Sequence, residues 1–119
     1  MPDIAYYQVL KDEKIKLTPG GEPWIRKWTA PDDINLEERA VLTFMADPNR
    51  EADLTLEIKV NGSVVRSPSF IGGVQRGMWE VLGDSDLEKG KNEFCFAVTE
   101  GTGTLAISDV VLWYKRTIA

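Results

Sequence analysis

Two tryptophans and an arginine in the first third of the chain have the residue types and spacing to contact a ligand. Trp24, Arg26 and Trp28 occupy alternate positions, and alternate residues of an extended strand lie on one face. Aromatic rings stack on the apolar faces of sugar rings, and a guanidinium donates to hydroxyl or carboxylate oxygens. The three side chains therefore predict a ligand-binding strip. The competing interpretation is that at least one of the tryptophans fills a core.

Catalytic chemistry has few residues available to it. The chain has no histidine and a single cysteine, Cys95. Ser-His-Asp and Cys-His arrangements, histidine-ligated metals and thiolate zinc sites are therefore excluded. Cys95 lies in a strand pattern, and we interpret it as a small apolar residue rather than a reactive thiol. We expect no enzymatic activity and no cofactor.

Neighbouring carboxylates are the remaining candidates for acid–base or metal chemistry. Pairs of acids can hydrolyse glycosidic bonds, and calcium takes several oxygen ligands. The acids of this chain lie in polar segments without the spacing of an EF-hand loop, so solvated surface acids are the simpler interpretation. A structural calcium ion is left open as an alternative. The acids considered for these roles are Asp32, Asp33, Glu37, Glu38, Asp47, Asp53, Asp84 and Asp86.

A β-hairpin is predicted over residues 54–66. Apolar and polar residues alternate from Leu54 to Val60, the period of a half-buried strand. Asn61-Gly62 follows, and this pair tolerates the positive φ angles of a type I′ turn. A two-residue turn fixes the register. The expected opposite pairs are Val60–Ser63, Ile58–Val65 and Glu57–Arg66.

A second hairpin is predicted from strands 93–99 and 104–114, joined by a glycine-rich turn. Its expected opposite pairs are Val98–Leu105 and Phe96–Ile107. This register places Asp109 on the core face, where a carboxylate needs hydrogen-bond donors. The alternative is a β-bulge at Ser108-Asp109 that re-aims the strand.

The segment between these hairpins is interpreted as turn chemistry. Leu87 is expected in the core, Gly90 at a positive φ angle, and Asn92 bonded to the backbone of its own turn. Trp79 and Trp113 lie within strand patterns, and both are expected in the core.

Short strands separated by turn residues are predicted in the rest of the chain. We expect strands at 4–10, 14–18, 24–29 and 40–46, and one short helical turn within 34–39. Eight or nine short strands, with no room for an amphipathic helix, indicate an all-β fold. The sequence therefore predicts an antiparallel two-sheet β-sandwich forming a single domain over residues 1–119.

The net charge and the hydropathy of the chain limit the classes of partner that it is expected to bind. The net charge is −5 and the pI is about 4.7, which disfavours nucleic acid and attachment to an anionic membrane. The sequence shows no signal peptide and no transmembrane segment. We expect a soluble protein, cytoplasmic by default.

The strings LEIKVNGSVV and MWEVLGDSDLEKGKNEFCFAVTEGTGTLAISDVVLWYKR resemble the galactose-binding-domain-like jelly-roll β-sandwich, over about residues 54–115. Sugar-binding-type accessory domains of β-galactosidase and β-glucuronidase enzymes carry a similar run. It comprises an Asn-Gly hairpin and a Leu-x-x-Gly-x-Asn turn.

The resemblance implies a jelly roll. Members of that family bind carbohydrates, proteins or lipids or brace an enzyme, and many hold structural calcium. No binding residue is carried over. The matching residues here are Asn61, Gly62, Leu87, Gly90 and Asn92.

These observations lead to an expected function and two rivals. We expect a non-catalytic binding module for carbohydrate, with Trp24, Arg26 and Trp28 as its ligand-binding residues. The alternative is a structural protein that self-associates, for instance as a homodimer, through the apolar strand 106–114. A carboxylate enzyme is the third hypothesis, and it requires a deep cleft that holds two close acids.

Overall fold

The computed structural model describes residues 3–117, and within them the chain forms ten strands and no helix. The strands are β1 (Asp3–Lys11), β2 (Ile15–Leu17), β3 (Trp24–Thr29), β4 (Val41–Pro48), β5 (Asp53–Val60), β6 (Ser63–Arg66), β7 (Ser69–Ile71), β8 (Arg76–Val81), β9 (Lys91–Thr102) and β10 (Leu105–Thr117). None of the elements in this part of the chain is a helix that could cross a membrane.

The strands pair into two five-stranded antiparallel sheets. Sheet A has the order β1-β10-β4-β8, with β2 also paired to β10. Sheet B has the order β3-β9-β5-β6, with β7 also paired to β5. The prediction of an all-β antiparallel sandwich is confirmed.

The core lies between the two sheets and is built by alternation. Every second residue of β4 and β5 is buried, including Leu42, Phe44 and Ile58. The rings of Phe44 in sheet A and Phe96 in sheet B meet edge to face, with centroids 5.3 Å apart. Edge-to-face pairing is a favoured aromatic geometry, so this contact ties the two layers together.

The first predicted hairpin is confirmed at its turn and wrong in part of its register. Asn61 and Gly62 have φ angles of 54° and 85°, as a type I′ turn requires. Val60 lies opposite Ser63 as expected, but a register shift then places Ile58 opposite Arg66. The expected pairs Ile58–Val65 and Glu57–Arg66 are therefore not formed, because the irregularity adds a residue on the β6 side.

The second predicted hairpin is wrong. Strand β9 pairs with β3 and β5 in sheet B, whereas β10 pairs with β1, β2 and β4 in sheet A. The link between them crosses from one sheet to the other. The apolar faces of both strands, with Phe96 on one and Ile107 on the other, are buried between the layers. The residues expected to pair within one sheet thus seal the same core from opposite sides.

A bulge in β10 reverses which side of that strand is buried. The pairing with β4 shifts between Ser108 and Val111. Asp109 at this point has a φ angle of 52° and is exposed, so the bulge alternative is confirmed and the inward Asp109 is wrong. Leu105 and Ile107 face the core before the bulge. The residues that do so after it are Val110, Leu112 and Tyr114.

Both tryptophans expected in the core are instead on the surface. Trp113 follows the bulge and is 45% exposed. Trp79 is 66% exposed, because its neighbour Glu80 takes the inward position and forms an ion pair with Arg66. Buried and exposed residues do alternate around both tryptophans, but each tryptophan lies on the exposed face instead of the predicted buried face.

Two loops complete the frame. In the loop before β9, Leu87 is buried, Gly90 has a φ angle of 85°, and Asn92 bonds the backbone of Glu88 and Gly90 at 2.8–3.1 Å, all as predicted. The segment 34–39 forms turns rather than a helical turn. Its backbone instead pairs with the end of β10, through an isolated bridge between Ile34 and Arg116.

Candidate ligand-binding face

The outer surface of sheet A carries aromatic and aliphatic side chains that no other part of the described structure covers. We call this surface the aromatic face. Its residues alternate along each strand with the buried residues of the core. They are Tyr7 and Val9 on β1, Val111 and Trp113 on β10, Val41 and Thr43 on β4, and Trp79 and Val81 on β8.

The strand register arranges these residues in two rows across the sheet. One row runs Tyr7, Trp113, Val41, Val81, and the other runs Val9, Val111, Thr43, Trp79. Each row spans the three steps from β1 to β8, about 14 Å at the usual spacing of paired strands. The rings of Tyr7 and Trp113 therefore lie at one side of the face, and Trp79 lies at the other.

The aromatic rings at the β1 side are held in place by neighbours. The ring centroids of Tyr7 and Trp113 are 5.4 Å apart and the ring planes are tilted by 39°. The indole Nε1 of Trp113 donates to Oγ1 of Thr43 at 2.8 Å. Because this hydroxyl acts as an acceptor, its own hydrogen remains available to a ligand oxygen.

A shallow hollow of about 520 Å³ lies beside Trp79. Thr43, Met45 and Val111 line it, and Asp109 contributes to its wall. Gly77 faces Met45 across the strand pair and has no side chain to fill the space. The hollow thus combines one large ring, an apolar lining and an exposed carboxylate that can accept hydrogen bonds from hydroxyl groups.

The outer surface of sheet B has the opposite character. Lys27 lies directly opposite Glu93, and Lys59 forms an ion pair with Glu57 at 3.4 Å. Cys95 is half-buried among them, and desolvation raises the pKa of its thiol, which disfavours a reactive thiolate. One outer surface of the sandwich is therefore charged, and the other is apolar and aromatic.

The strip predicted from Trp24, Arg26 and Trp28 does lie on one face of β3, and this face is turned inward. Trp28 is only 8% exposed and packs against Phe94 and Tyr114. Trp24 is half-buried, with its ring edge to face against Phe96. Arg26 is half-buried between them, and its Nε has no hydrogen-bond partner in residues 3–117. The role of this strip in ligand binding stays a prediction.

The predicted acidic residues do not converge. Asp33 binds Arg116 in a bidentate ion pair, and Asp84 lies 3.4 Å from Arg39. Asp86 accepts a bond from the backbone of Gly83. In residues 3–117 no group of three or more acids and cysteines is arranged to hold a metal ion. The structural calcium ion stays an untested alternative.

Trp79 and Trp113 are the functional candidates that sequence reasoning placed on the wrong side. For Trp113 a signal was available, because an inward Asp109 conflicts with a core strand and a bulge resolves the conflict. Such a bulge reverses the phase and turns Trp113 outward. For Trp79 the only signal was the pair of apolar neighbours, Met78 and Leu82, which share a face with Glu80.

Comparison with solved structures gives the fold of the chain. A TM-score of 0.70 is found with dimeric latent PorU from Porphyromonas gingivalis, at 7% identity over 96% of this chain and 13% of that one. BuGH86 in complex with neoagarooctaose gives 0.67, at 18% identity over 95% of this chain and 19% of that one. The chain thus spans a small part of both proteins.

Small carbohydrate-binding modules match along nearly their whole length. The module CBM36 in complex with calcium and xylotriose gives a TM-score of 0.58, at 10% identity over 93% of this chain and 98% of that one. The CBM15 and CBM35 modules also match, over 95% and 93% of this chain and 97% and 90% of their own. These likenesses confirm the predicted jelly-roll β-sandwich fold.

Two further comparisons found nothing. No protein-family model matches the chain. No curated protein matches it by sequence.

Proposed function

We propose that this chain is a non-catalytic carbohydrate-binding module that binds a glycan chain on the aromatic face. The observation that carries the proposal is the set of three exposed rings, Tyr7, Trp79 and Trp113, on one outer sheet surface. A contiguous apolar patch on a folded protein usually marks an interaction site. The fold supports the same proposal, because a module in complex with xylotriose shares it.

Stacking accounts for affinity on such a surface. The C–H groups of a pyranose ring form an apolar face, which loses contact with water when it covers an indole or phenol ring. The hydroxyl groups at the ring edge then need polar partners. The Thr43 hydroxyl and the Asp109 carboxylate supply a donor and an acceptor beside the rings.

The spacing of the rings favours a chain of sugars over a single sugar. Trp113 and Trp79 stand on β10 and β8, with β4 between them. This separation is about 10 Å across the sheet, which is wider than one pyranose ring. Each tryptophan would therefore stack a different sugar of the same chain, and the chain would run across the strands.

Catalysis finds no support in the described residues. Hydrolysis of a glycosidic bond needs two acids held on either side of the bond, one of them with a raised pKa. The hydrogen bond from Arg116 instead holds the pKa of Asp33 below its usual range. Asp33 is thereby kept ionised, which does not suit a general acid.

Calorimetric titration with xylohexaose, cellohexaose and an agaro-oligosaccharide tests this function. We expect at least one of them to bind, and Trp113→Ala and Tyr7→Ala each to weaken that binding about tenfold or more, because each removes a stacking surface. Ile25→Ala, on the outer surface of sheet B, is the matched control and should leave affinity unchanged. Absence of binding by the wild type, or equal loss in the control, contradicts the proposal.

A second candidate function is self-association through the same face. The observation that favours it is the aliphatic component, in particular Val41, Val81 and Val111, which would suit a second copy as well as a sugar. Sedimentation of the calorimetry samples separates the two. A dimer that Trp113→Ala dissociates, combined with no sugar binding, favours assembly, whereas a monomer that binds sugar favours the glycan.

A further inference from the structure

We propose that a groove at the β8 edge of the sandwich extends the glycan site, and that Arg66 in this groove binds hydroxyl groups of a neutral sugar beyond Trp79. The inference rests on the proposed function and adds a specificity-determining residue outside the aromatic face. We call this groove the edge groove. It has a volume of about 290 Å³ and is lined by Val65, Arg66, Trp79, Glu80 and Val81.

The edge groove lies where the two sheets come side by side. Strand β8 ends the strand order of sheet A, and β6 ends the strand order β3-β9-β5-β6 of sheet B. Arg66 on β6 reaches across to Glu80 on β8, with Nε donating to Oε2 at 2.8 Å. The groove is therefore built from both sheets and is held by one ion pair.

The ion pair leaves part of the guanidinium unused. The side chain of Glu80 is 10% exposed, whereas that of Arg66 is 66% exposed. The bond occupies Nε alone, and the two terminal amino groups of Arg66 donate to no residue within 3–117. These groups carry four N–H donors in one plane. A planar pair of donors matches two neighbouring oxygens on a ligand.

The charge of the groove favours a neutral ligand. Glu80 offsets the charge of Arg66 at a distance of 2.8 Å. The chain as a whole carries a net charge of −5, which repels anions at long range. A pair of vicinal hydroxyls on a neutral sugar satisfies the free amino groups without adding a further negative charge. A carboxylate-bearing sugar does not have this advantage.

Trp79 and Val81 connect the edge groove to the aromatic face. Both residues belong to the two rows of the aromatic face, and both also line the edge groove. A glycan that stacks on Tyr7 and Trp113 and then on Trp79 arrives at the β8 edge. Its next sugar enters the groove and meets Arg66. The contribution of Arg66 must therefore depend on the length of the glycan.

The test is a titration of xylobiose, xylotetraose and xylohexaose, or the matching series of whichever glycan binds, into the wild type and Arg66→Met. We expect Arg66→Met to weaken binding of the hexasaccharide about tenfold, since hydrogen bonds from a charged donor are lost, and to leave the disaccharide unchanged. The control Lys27→Met removes an equal charge from the outer surface of sheet B and should change neither.

Arg66→Met leaves the buried Glu80 without its partner and could unfold the edge. The double variant Arg66→Met/Glu80→Gln removes that charge and is measured in parallel, with thermal unfolding as a check on folding. The same length-dependent loss in the double variant supports the role of Arg66.

Three results overturn the assignment of the groove. The first is an affinity for the hexasaccharide that Arg66→Met leaves unchanged. The second is an equal loss of affinity in Arg66→Met at every glycan length. The third is tighter binding by the wild type only for oligosaccharides that carry glucuronic acid. A wild type that binds no glycan of any length overturns the proposed function itself, so the two failures can be told apart.

Discussion

A bidentate ion pair fastens the loop before β4 to the end of β10. Nε and one terminal nitrogen of Arg116 donate to the two carboxylate oxygens of Asp33 at 2.7 and 3.0 Å. The guanidinium also lies over the ring of Tyr6, 5.0 Å from its centre. Backbone bonds run alongside, from Thr117 to Asp33 and from Asn35 to Lys115. The pair therefore holds this loop beside the end of β10, on the side of β10 that does not pair with β1.

The pair makes stability depend on pH on the acid side. The hydrogen bond from Arg116 lowers the pKa of Asp33 in the folded state. The pKa of Asp33 is therefore lower in the folded state than in the unfolded state. The ion pair stabilises the fold at pH values above the unfolded-state pKa, and this stabilisation is lost as the pH falls through the folded-state pKa. The wild type should therefore lose this contribution below about pH 4.

Asp33→Asn should be less stable than the wild type at neutral pH and should show a weaker decline on acidification. Urea unfolding across that pH range measures both effects. Asp32→Asn is the matched control, since none of the ion pairs among residues 3–117 includes Asp32. An identical acid decline in the wild type and Asp33→Asn contradicts this account.

At the scale of elements, the bulge in β10 decides which side chains a ligand can reach. Leu105 and Ile107 precede the bulge on the buried side, and Trp113 follows it on the exposed side. Without the extra residue, strict alternation would keep Trp113 on the face of Ile107. The left-handed backbone at Asp109 is thus the local feature that creates one side of the aromatic face.

Substitution of Asp109 tests the conformation of this bulge. A β-branched residue tolerates a φ angle of 52° poorly, whereas glycine adopts it freely. We expect Asp109→Val to lower the free energy of unfolding by about 1–2 kcal/mol relative to Asp109→Gly. Chemical denaturation of the two variants measures the difference. Equal stability would mean that the bulge does not hold this residue in the left-handed region.

Local turn chemistry was predictable from the sequence, whereas the partners of β9 and β10 were not. Asn61-Gly62 and Gly90 adopt the positive φ angles that their residue types allow. In contrast, the strands on either side of Gly101 and Gly103 look like a hairpin in sequence and enter different sheets. Alternation specifies which face of a strand is apolar, but it does not say whether that face meets its partner beside it or across a core.

The candidate site was missed for a related reason. A tryptophan in an apolar strand pattern is usually assigned to the core, because aromatics dominate core packing. Trp28 satisfies that expectation. Trp79 violates it because Glu80 takes the inward position on β8, and Trp113 violates it because the bulge at Asp109 reverses which side of β10 is buried. The ion partner of Glu80 is distant in sequence, so the local pattern does not reveal it.

At the scale of the whole molecule, the two outer surfaces of the sandwich differ in chemistry. Sheet B presents alternating charges around Lys27, Glu93 and Glu57, while sheet A presents rings. An extended apolar patch on the surface of a folded protein usually marks an interaction site. This asymmetry is the whole-molecule feature on which the proposed glycan site rests, and the edge groove beside Trp79 adjoins the same surface.

The most direct test of this account is a heteronuclear NMR titration that follows the four indole N–H signals, each assigned by a Trp→Phe variant. With a glycan that binds in calorimetry, we predict that the signals of Trp79 and Trp113 shift with the titration, because both rings lie on the aromatic face. The signals of Trp24 and Trp28, on the inward face of β3, should stay in place. Shifts at Trp24 without shifts at Trp79 and Trp113 would contradict the account and move the site to the Trp24, Arg26 and Trp28 strip.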